Sequence, residues 1–287
     1  MKRRKGMRIL ALILSLVLMI QTFSVQAASS DGYVTPNSSS VKIGGYQIKV
    51  TFKNGINSLY TRNGTSGKWK KIASGLAAAG VFTTNGANIY YAKSTYSYIS
   101  GNGSSKIYCI SVNGGKSKHI TTIPNAGILA MHRYKDNLYL TEFRGKGSPY
   151  PTYVYSLKTK KHTLFKENLD INGAYKGYAV MNEHYYKCTV PLYAVNLTTK
   201  KIVKTLASNS YKHYVSGKYV YYTDYTTSLT TTRPEEWKNG IFTIKRATVD
   251  GKNITAMTSN ITGAVQSVTA HSVTYTDKND ITRTIKY

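Results

Sequence analysis

Short hydrophobic runs rich in Tyr, Val, Ile and Thr recur along the chain in groups that repeat about every 40–50 residues. The clearest group starts with residues 217–224. After a polar loop it continues with residues 240–246, a turn at residues 250–252 and a last run at residues 253–257. β-Branched and aromatic residues fit a pleated surface, and the Asp-Gly and Asn-Gly pairs between runs are typical of tight hairpin turns. The pattern therefore predicts small antiparallel sheets of four strands each.

Six such repeats divide the chain. They begin at Val41, Val81, Ile128, Ile171, Gly217 and Val265. Many runs, such as residues 219–222, are apolar on both faces, which suits sheets that stack face to face between two neighbours. A two-sheet sandwich would leave more strands with one wet face. The sequence predicts an all-β fold, a six-bladed β-propeller of four-stranded antiparallel blades over residues 41–287. Blade counts of five or seven are the alternatives, and helices are expected to be nearly absent.

The sixth repeat stops one strand short, because it holds the runs at residues 272–277 and 281–287 but no final run. We expect the N-terminal segment, residues 29–40, to supply the missing outer strand. Residues 33–35 would then pair beside residues 282–287. Closure of this kind removes a long open sheet edge.

The first 28 residues have the order of a secretory signal peptide. A basic start is followed by an apolar run at residues 9–20 and by small residues at 25–28. Cleavage is expected after Ala27 or Ala28. The alternative is an anchored membrane helix, but the apolar run is shorter than the roughly 20 residues that a span needs. The sequence thus predicts a secreted protein.

The chain carries 39 Lys and Arg against 12 Asp and Glu, a formal net charge of +27. Such a charge draws a protein toward anionic polymers. Because export is expected, teichoic acids, acidic polysaccharides or anionic lipids are better candidates than nucleic acid, for which no binding motif is present. The two cysteines, Cys109 and Cys188, are too few for a disulfide framework and are interpreted as small buried residues, with a bridge between them as the alternative.

Four segments at the second run of their repeats resemble degenerate Tyr-Trp-Thr-Asp boxes. They are residues 90–93, 139–142, 221–224 and 274–277. Such boxes are the hallmark of low-density-lipoprotein-receptor-type propellers. The chain is most similar to a bacterial exported β-propeller family of unknown function from Gram-positive anaerobes, over about residues 81–277. The resemblance implies a propeller fold in which the box residues hold blades together, and hence structural roles for Glu142, Asp224 and Asp277.

The loops between the second and third runs are long, and in a propeller they share one rim with the connections between blades. We call this side the long-loop rim; its loops are residues 94–105, 143–152, 184–191 and 225–239. Binding groups usually lie on long loops of a rigid scaffold. Aromatic faces can stack on sugar rings, and Arg or Lys can pair with phosphate or carboxylate groups. The candidate ligand-binding residues are Tyr96, Tyr98, Arg144, Lys146, Tyr150, Tyr185, Tyr186, Arg233 and Trp237. The alternative is that the aromatic residues pack the loops and the cations are only solvated.

Catalytic and metal signatures are missing from the sequence. The six histidines are spread over different repeats without a metal-binding spacing. The first runs that would line a propeller channel, residues 81–84, 129–132, 172–175 and 214–216, contain no Asp or Glu, so a two-carboxylate hydrolase mechanism has no ready acids. We therefore expect no enzyme activity, no metal and no cofactor. His132, Tyr175 and Tyr214 are the residues that a polysaccharide lyase or hydrolase would use.

These observations predict a secreted, monomeric, non-enzymatic module that binds an anionic cell-wall polymer, most simply a glycopolymer, with peripheral contact to the envelope. The alternative is a scaffold for an extracellular protein, and a lyase or hydrolase is a third option. Salt separates the first two, because binding driven by charge weakens as salt is added whereas docking of an apolar patch does not.

Overall fold

The computed structural model describes residues 41–77, 81–97, 100–145, 150–183, 189–229 and 237–287. In these residues the secondary structure consists of 24 β-strands in six antiparallel sheets. The all-β prediction is therefore confirmed. The predicted signal peptide and the segment at residues 29–40 lie outside the described residues. Within the described part of the chain, no helix has the length and hydropathy needed to cross a bilayer.

Each sheet is formed by consecutive strands. Sheet one contains β1–β4, which span Val41–Ile43, Tyr46–Lys53, Ile56–Asn63 and Lys70–Leu76. Sheet two contains β5–β8, which span Phe82–Thr84, Asn88–Ser94, Ser104–Ser111 and Lys118–Pro124. Sheet three contains β9–β12, which span Gly127–Tyr134, Asn137–Phe143, Thr152–Ser156 and His162–Lys166. The order in these sheets follows the chain, as the repeats predict.

The second half continues the pattern with two variations. Sheet four contains β13–β16, which span Leu169–Tyr175, Tyr178–Glu183, Val190–Asn196 and Ile202–Ser210. Sheet five contains β17–β21, which span His213–Ser216, Tyr219–Tyr225, Ile241–Thr248, Thr255–Ala256 and Ile261–Thr262. Its outer position is shared by β20 and β21, which both pair with β19. Among the described residues, sheet six contains only β22–β24, which span Ala264–Val268, Ser272–Thr276 and Thr282–Lys286.

Connections alternate in length along each sheet. The turns between first and second strands and between third and fourth strands are short, and they lie at one end of the strands, which we call the short-turn rim. The connections between second and third strands lie at the other end and are longest in sheets two, three and five. Sheet one departs from this, because Asn54 and Gly55, both with positive φ, form a tight turn between β2 and β3.

Apolar clusters join consecutive sheets. Five clusters lie between sheets one and two, two and three, three and four, four and five, and five and six. Side chains from both faces of the inner sheets are buried, as the two-sided apolar runs predict. Within the described residues, no comparable apolar cluster joins sheet one to sheet six.

The first strands of successive sheets approach closely. A Cβ added to Gly173 of β13 would lie 2.8 Å from three side-chain atoms of Val215 in β17. Only a residue without a side chain fits there, since real Cβ contacts are longer. This glycine is therefore required for sheets four and five to pack.

Sheet six ends as the sequence predicts, one strand short. Thr282, Arg283, Thr284 and Lys286 of β24 are exposed. The predicted closing strand at residues 33–35 lies outside the described residues, so its pairing stays a prediction.

Candidate functional site

A cavity of about 370 Å³ opens between sheets three and four at the short-turn rim. Its walls come from the turns and strand ends of both sheets. They are formed by Tyr134, Lys135, Asn137, Tyr139, Val154, Ser156, Thr159, Lys161, Thr163, Phe165, Leu197, Thr198 and Lys200. The volume lies near the lower end of the range that is usual for small-molecule sites.

The floor of the cavity is apolar. Tyr139, Phe165 and Leu197 are all buried. The Tyr139 and Phe165 rings meet edge to face with centroids 5.1 Å apart. The Tyr139 hydroxyl donates to the carbonyl oxygen of Leu197 at 3.2 Å. Because this hydroxyl is already bonded within the protein, the floor offers aromatic surface rather than polar groups.

Three lysines surround this floor. Lys135 comes from the turn after β9, Lys161 from the turn before β12, and Lys200 from the turn before β16. The Lys200 ammonium lies 5.8 Å from the centroid of the Phe165 ring. Among the described residues that line the cavity, none is acidic. Asp136, next to Lys135 in its turn, is exposed and does not line it. The arrangement favours a negatively charged ligand.

The turns that carry these lysines have an unusual backbone. Lys135, Lys160, Lys176 and Lys200 have φ angles of 52°, 60°, 45° and 60°. This left-handed region is adopted mainly by Gly, Asn and Asp, and a residue with a long side chain is uncommon there. Four lysines of sheets three and four therefore occupy positions where glycine would be the easier choice. Backbone strain of this kind is found preferentially at functional sites.

The same two sheets are tightly joined at the long-loop rim. The Thr152 hydroxyl donates to the carbonyl oxygen of Leu169 at 2.7 Å and lies 3.2 Å from the Thr141 hydroxyl oxygen. The backbone N–H of Ile171 donates to that Thr141 oxygen at 3.3 Å. A similar bond links sheets two and three: the Ser105 hydroxyl of sheet two donates at 2.8 Å to the carbonyl oxygen of Ala126, which lies just before sheet three. Thr141 belongs to one of the predicted boxes, and it holds neighbouring sheets together as the resemblance implies.

The acidic box residues are structural in a different way. Glu142 Oε2 accepts hydrogen bonds from Arg144 Nε and Nη2 at 3.0 and 2.6 Å, and Oε1 lies 2.7 Å from His162 Nε2. Asp224 pairs with Lys245 at 2.6 Å, and Asp277 pairs with Arg283. The Arg283 guanidinium holds the pKa of Asp277 below its ordinary value, and the backbone N–H of Ile281 adds to this. These ion pairs join strands or loops of one sheet rather than two blades.

Four of the predicted ligand-binding residues lie in the described part of the chain, and each contacts other protein groups. Arg144 is paired with Glu142, and its guanidinium carbon lies 5.0 Å from the centroid of the Tyr153 ring. Tyr96 is buried and contacts Phe143, which also contacts Tyr150. Trp237 packs edge to face on Tyr211 at 4.4 Å. Tyr98, Lys146, Tyr185, Tyr186 and Arg233 lie outside the described residues.

The lysines of the short-turn rim were missed because the Thr-Lys-Lys segments of the third and fourth repeats were interpreted only as hairpin turns. Their repetition at equivalent positions, residues 159–161 and 199–201, is the signal that could have identified this rim. Side chains that line one cavity from two sheets are far apart in sequence, so their proximity required the fold.

The residues that a lyase or hydrolase would use differ in their exposure. His132 is 2% exposed. Burial lowers its pKa to about 4 although a backbone hydrogen bond with Ile171 opposes this. Tyr214 is exposed and Tyr175 is half-buried. The first strand of sheet four begins earlier than predicted and includes Asp170, so that strand does contain one acid.

Within the described residues, no group of three or more metal-ligating side chains is present. Cys109 is half-buried, and its predicted alternative partner Cys188 lies outside the described residues.

No protein-family model and no curated protein matches the chain. Solved structures do match it. The acylaminoacyl peptidase of Pyrococcus horikoshii has 7% identity and a TM-score of 0.52, with 90% of this chain and 43% of that chain covered. An oligogalacturonate lyase in complex with manganese has 8% identity and a TM-score of 0.49, with 86% and 73% covered. A nidogen/laminin complex has 11% identity and a TM-score of 0.45, with 76% of each chain covered.

This chain spans about half the length of the first solved structures that it matches, 51% in one case and 50% in another. Identities this low show a shared fold and nothing about activity. Six antiparallel sheets follow one another along the chain and bury apolar clusters between consecutive faces. Together with the match over 90% of its length, this arrangement shows that the chain is a β-propeller built from repeated blades.

Proposed function

We propose that this protein is a secreted, non-enzymatic β-propeller module that binds an anionic glycopolymer of the cell envelope at its short-turn rim. The observation that carries the proposal is the cavity between sheets three and four, where Lys135, Lys161 and Lys200 surround an apolar floor. None of the three lysines pairs with a carboxylate in the described part of the chain. Their charge is therefore available to a ligand.

The distribution of acids supports the same conclusion. Carboxylates in the described part of the chain form ion pairs with cations of the protein, among them Glu142, Asp224, Asp250, Asp277 and Asp280. Since the chain has 39 Lys and Arg but 12 Asp and Glu, most of its cations have no acid to pair with. An excess of unpaired cations raises the local concentration of anionic polymers and accelerates their association.

The proposal includes the architecture and the compartment predicted from the sequence. Each of the six sheets would form one blade, and residues 29–40 would complete the last. The signal peptide would direct export. The proposed rim differs from the long-loop rim expected from the sequence, because Arg144, Tyr96, Tyr150 and Trp237 already contact protein groups there.

Binding to poly(glycerol phosphate) teichoic acid, with neutral dextran as the control polymer, tests this function. We expect the protein lacking its signal to bind teichoic acid and to lose affinity as salt is raised, because exposed charges are screened within about 10 Å at 0.1 M salt. The triple variant Lys135→Met, Lys161→Met, Lys200→Met should bind at least about tenfold more weakly, which corresponds to about 1.4 kcal/mol.

A triple variant with the same change in charge is the control. Lys42, Lys53 and Lys106 are exposed and lie outside the cavity. If replacing these by Met weakens binding as much as replacing the cavity lysines, the polymer is held by net charge alone and the assigned rim is wrong. Binding of teichoic acid that salt leaves unchanged would contradict recognition by charge, and failure to bind it would favour the protein scaffold.

A further inference from the structure

We propose that the cavity between sheets three and four binds a single monosaccharide unit that carries one phosphate or carboxylate. This inference rests on the proposed function, since it names the chemical group that the cavity would take from an anionic glycopolymer. The cavity could equally take the same group as a free sugar.

The size of the cavity sets the first limit. A volume of about 370 Å³ is near the lower limit of typical small-molecule sites, which range from about 300 to 1,000 Å³. A sugar ring with one acidic substituent fits a site of this size, whereas a longer oligosaccharide would have to extend over the rim. The inferred ligand is therefore one residue of a polymer or one free sugar.

The floor indicates a ring rather than a bare inorganic anion. Tyr139 and Phe165 are 2% and 6% exposed, so each presents only a small part of its ring to the cavity, next to Leu197 and Val154. A phosphate or sulfate ion gains nothing from apolar surface, and burying a charge there without partners is costly. The carbon-bound hydrogens of a sugar ring, in contrast, can pack against aromatic side chains. The floor thus selects for a ligand with an apolar face.

The walls supply groups that suit sugar hydroxyls. Ser156, Thr159, Thr163 and Thr198 carry hydroxyls, and Asn137 carries an amide. Each of these can both donate and accept hydrogen bonds. The Ser156 hydroxyl oxygen accepts from the backbone N–H of Thr159 at 3.1 Å, and Asn196 Oδ1 accepts from that of Thr198 at 2.9 Å. These bonds fix the two turns that form opposite walls.

The lysines at the mouth supply the charge recognition. Their ammonium groups are point charges on flexible stems with three donors each, and lysine is an established phosphate ligand. Lys135 and Lys161 belong to sheet three and Lys200 to sheet four, so the acidic group of a ligand seated on the floor would be approached from both sides. Lys135 and Lys200 also have a left-handed backbone, a conformation that carries a cost for a residue with a side chain.

Calorimetric titration of the full mature chain with glucose 6-phosphate, glucuronate, glucose and inorganic phosphate tests the inference. We expect the two charged sugars to bind, and glucose and inorganic phosphate to bind at least about tenfold more weakly, because each lacks half of the recognition. Equal affinity for inorganic phosphate and glucose 6-phosphate would overturn the role of the floor. Failure of both charged sugars to bind would overturn the inference itself.

Two matched pairs of variants locate the binding. Thr198→Trp should block the cavity and lower affinity for glucose 6-phosphate at least about tenfold, whereas Thr199→Trp, at an exposed neighbour outside the lining, should leave it within about twofold. Lys200→Met should weaken binding and Lys201→Met should not. All four positions are exposed, so the melting temperature checks that folding is preserved. Equal effects within either pair would place the ligand elsewhere.

The outcomes also separate this inference from the proposed function. Sugar phosphate binding that Thr198→Trp abolishes, without any binding of teichoic acid, supports the cavity site and removes the polymer function. Teichoic acid binding that Thr198→Trp leaves unchanged retains the polymer function and overturns the cavity as its site.

Discussion

The interface between sheets three and four has two different ends. At the long-loop rim, the short side chains of Thr141 and Thr152 link the sheets through buried hydroxyls, with hydrogen bonds to Leu169 and Ile171. At the short-turn rim, the same sheets leave a cavity of about 370 Å³ that lysines surround. At the long-loop rim the polar groups bond to other protein groups, whereas at the short-turn rim the lysines can pair with a ligand.

This contrast shows which polar residues stabilise the fold and which are free for binding. A buried hydroxyl without a partner costs stability, so the threonines at the long-loop rim must be paired. An exposed lysine loses little when it lacks a partner, so its position is free to be set by function. If the two ends are separable, a change at one end should leave the other intact.

Acidification should affect the scaffold first. His132 lies in this interface, on β9 opposite Tyr139. Burial lowers its pKa to about 4 from an ordinary 6.5. Because the unfolded chain binds the proton more readily, stability is full above about pH 6.5 and falls as the pH is lowered toward 4. The loss is about 3 kcal/mol for a group that is almost fully buried.

Urea unfolding between pH 7 and 4 measures this loss. The variant His132→Gln should show a flatter pH dependence than the wild type over that window, whereas His119→Gln, at an exposed histidine, should follow the wild type. Identical pH profiles for wild type and His132→Gln would show that His132 does not control the acid response.

The hydrogen bonds between sheets three and four at the long-loop rim can be removed by a substitution that preserves side-chain shape. Thr152→Val removes the hydroxyl that donates to Leu169 and leaves that buried carbonyl oxygen without this donor. We expect a loss of about 1–2 kcal/mol in the free energy of unfolding. Ligand binding at the opposite end should be retained.

The exposed hydroxyl of Thr274, which lies 3.2 Å from that of Thr284, offers the control. Thr274→Val should change the free energy of unfolding by less than about 0.5 kcal/mol, as is usual for surface positions. If Thr152→Val costs no more than this, the link between the sheets is not a stabilising one.

The sequence allowed the sheets to be predicted far better than the site. Strand runs such as residues 219–222 and turns such as Asp250–Gly251 are local patterns, so the strands, their order and the three-stranded last sheet followed from them. The box residue Glu142 was recognised as structural, but its partners Arg144 and His162 were not. Arg144 was instead predicted to bind ligand, because pairing with a buried carboxylate cannot be seen in composition.

The cavity could not be predicted because it depends on two turns that meet only in the fold. Lys161 and Lys200 are 39 positions apart, and each lies in a turn that looks ordinary by itself. The left-handed φ angle of Lys200 is likewise a property of the folded backbone. The long loops rich in aromatic residues led instead to the prediction of a binding site at the long-loop rim.

The smallest expected effect on stability comes from the strained lysines, and it separates binding from folding most directly. Lys200 and Lys160 occupy equivalent turns and both have a φ of 60°. Replacing either by Gly relieves a left-handed conformation that costs an L-residue about 1–2 kcal/mol, and adds a loss of backbone entropy of about 0.5–1 kcal/mol. The free energy of unfolding should therefore stay constant or rise by about 0.5 kcal/mol in both variants.

Only Lys200→Gly should also weaken glucose 6-phosphate binding, because Lys160 does not line the cavity and its ammonium donates to the carbonyl oxygen of Leu157 in its own turn. A marked loss of stability in Lys200→Gly would mean that this lysine supports the fold, and the strain in its turn would then no longer indicate a binding role.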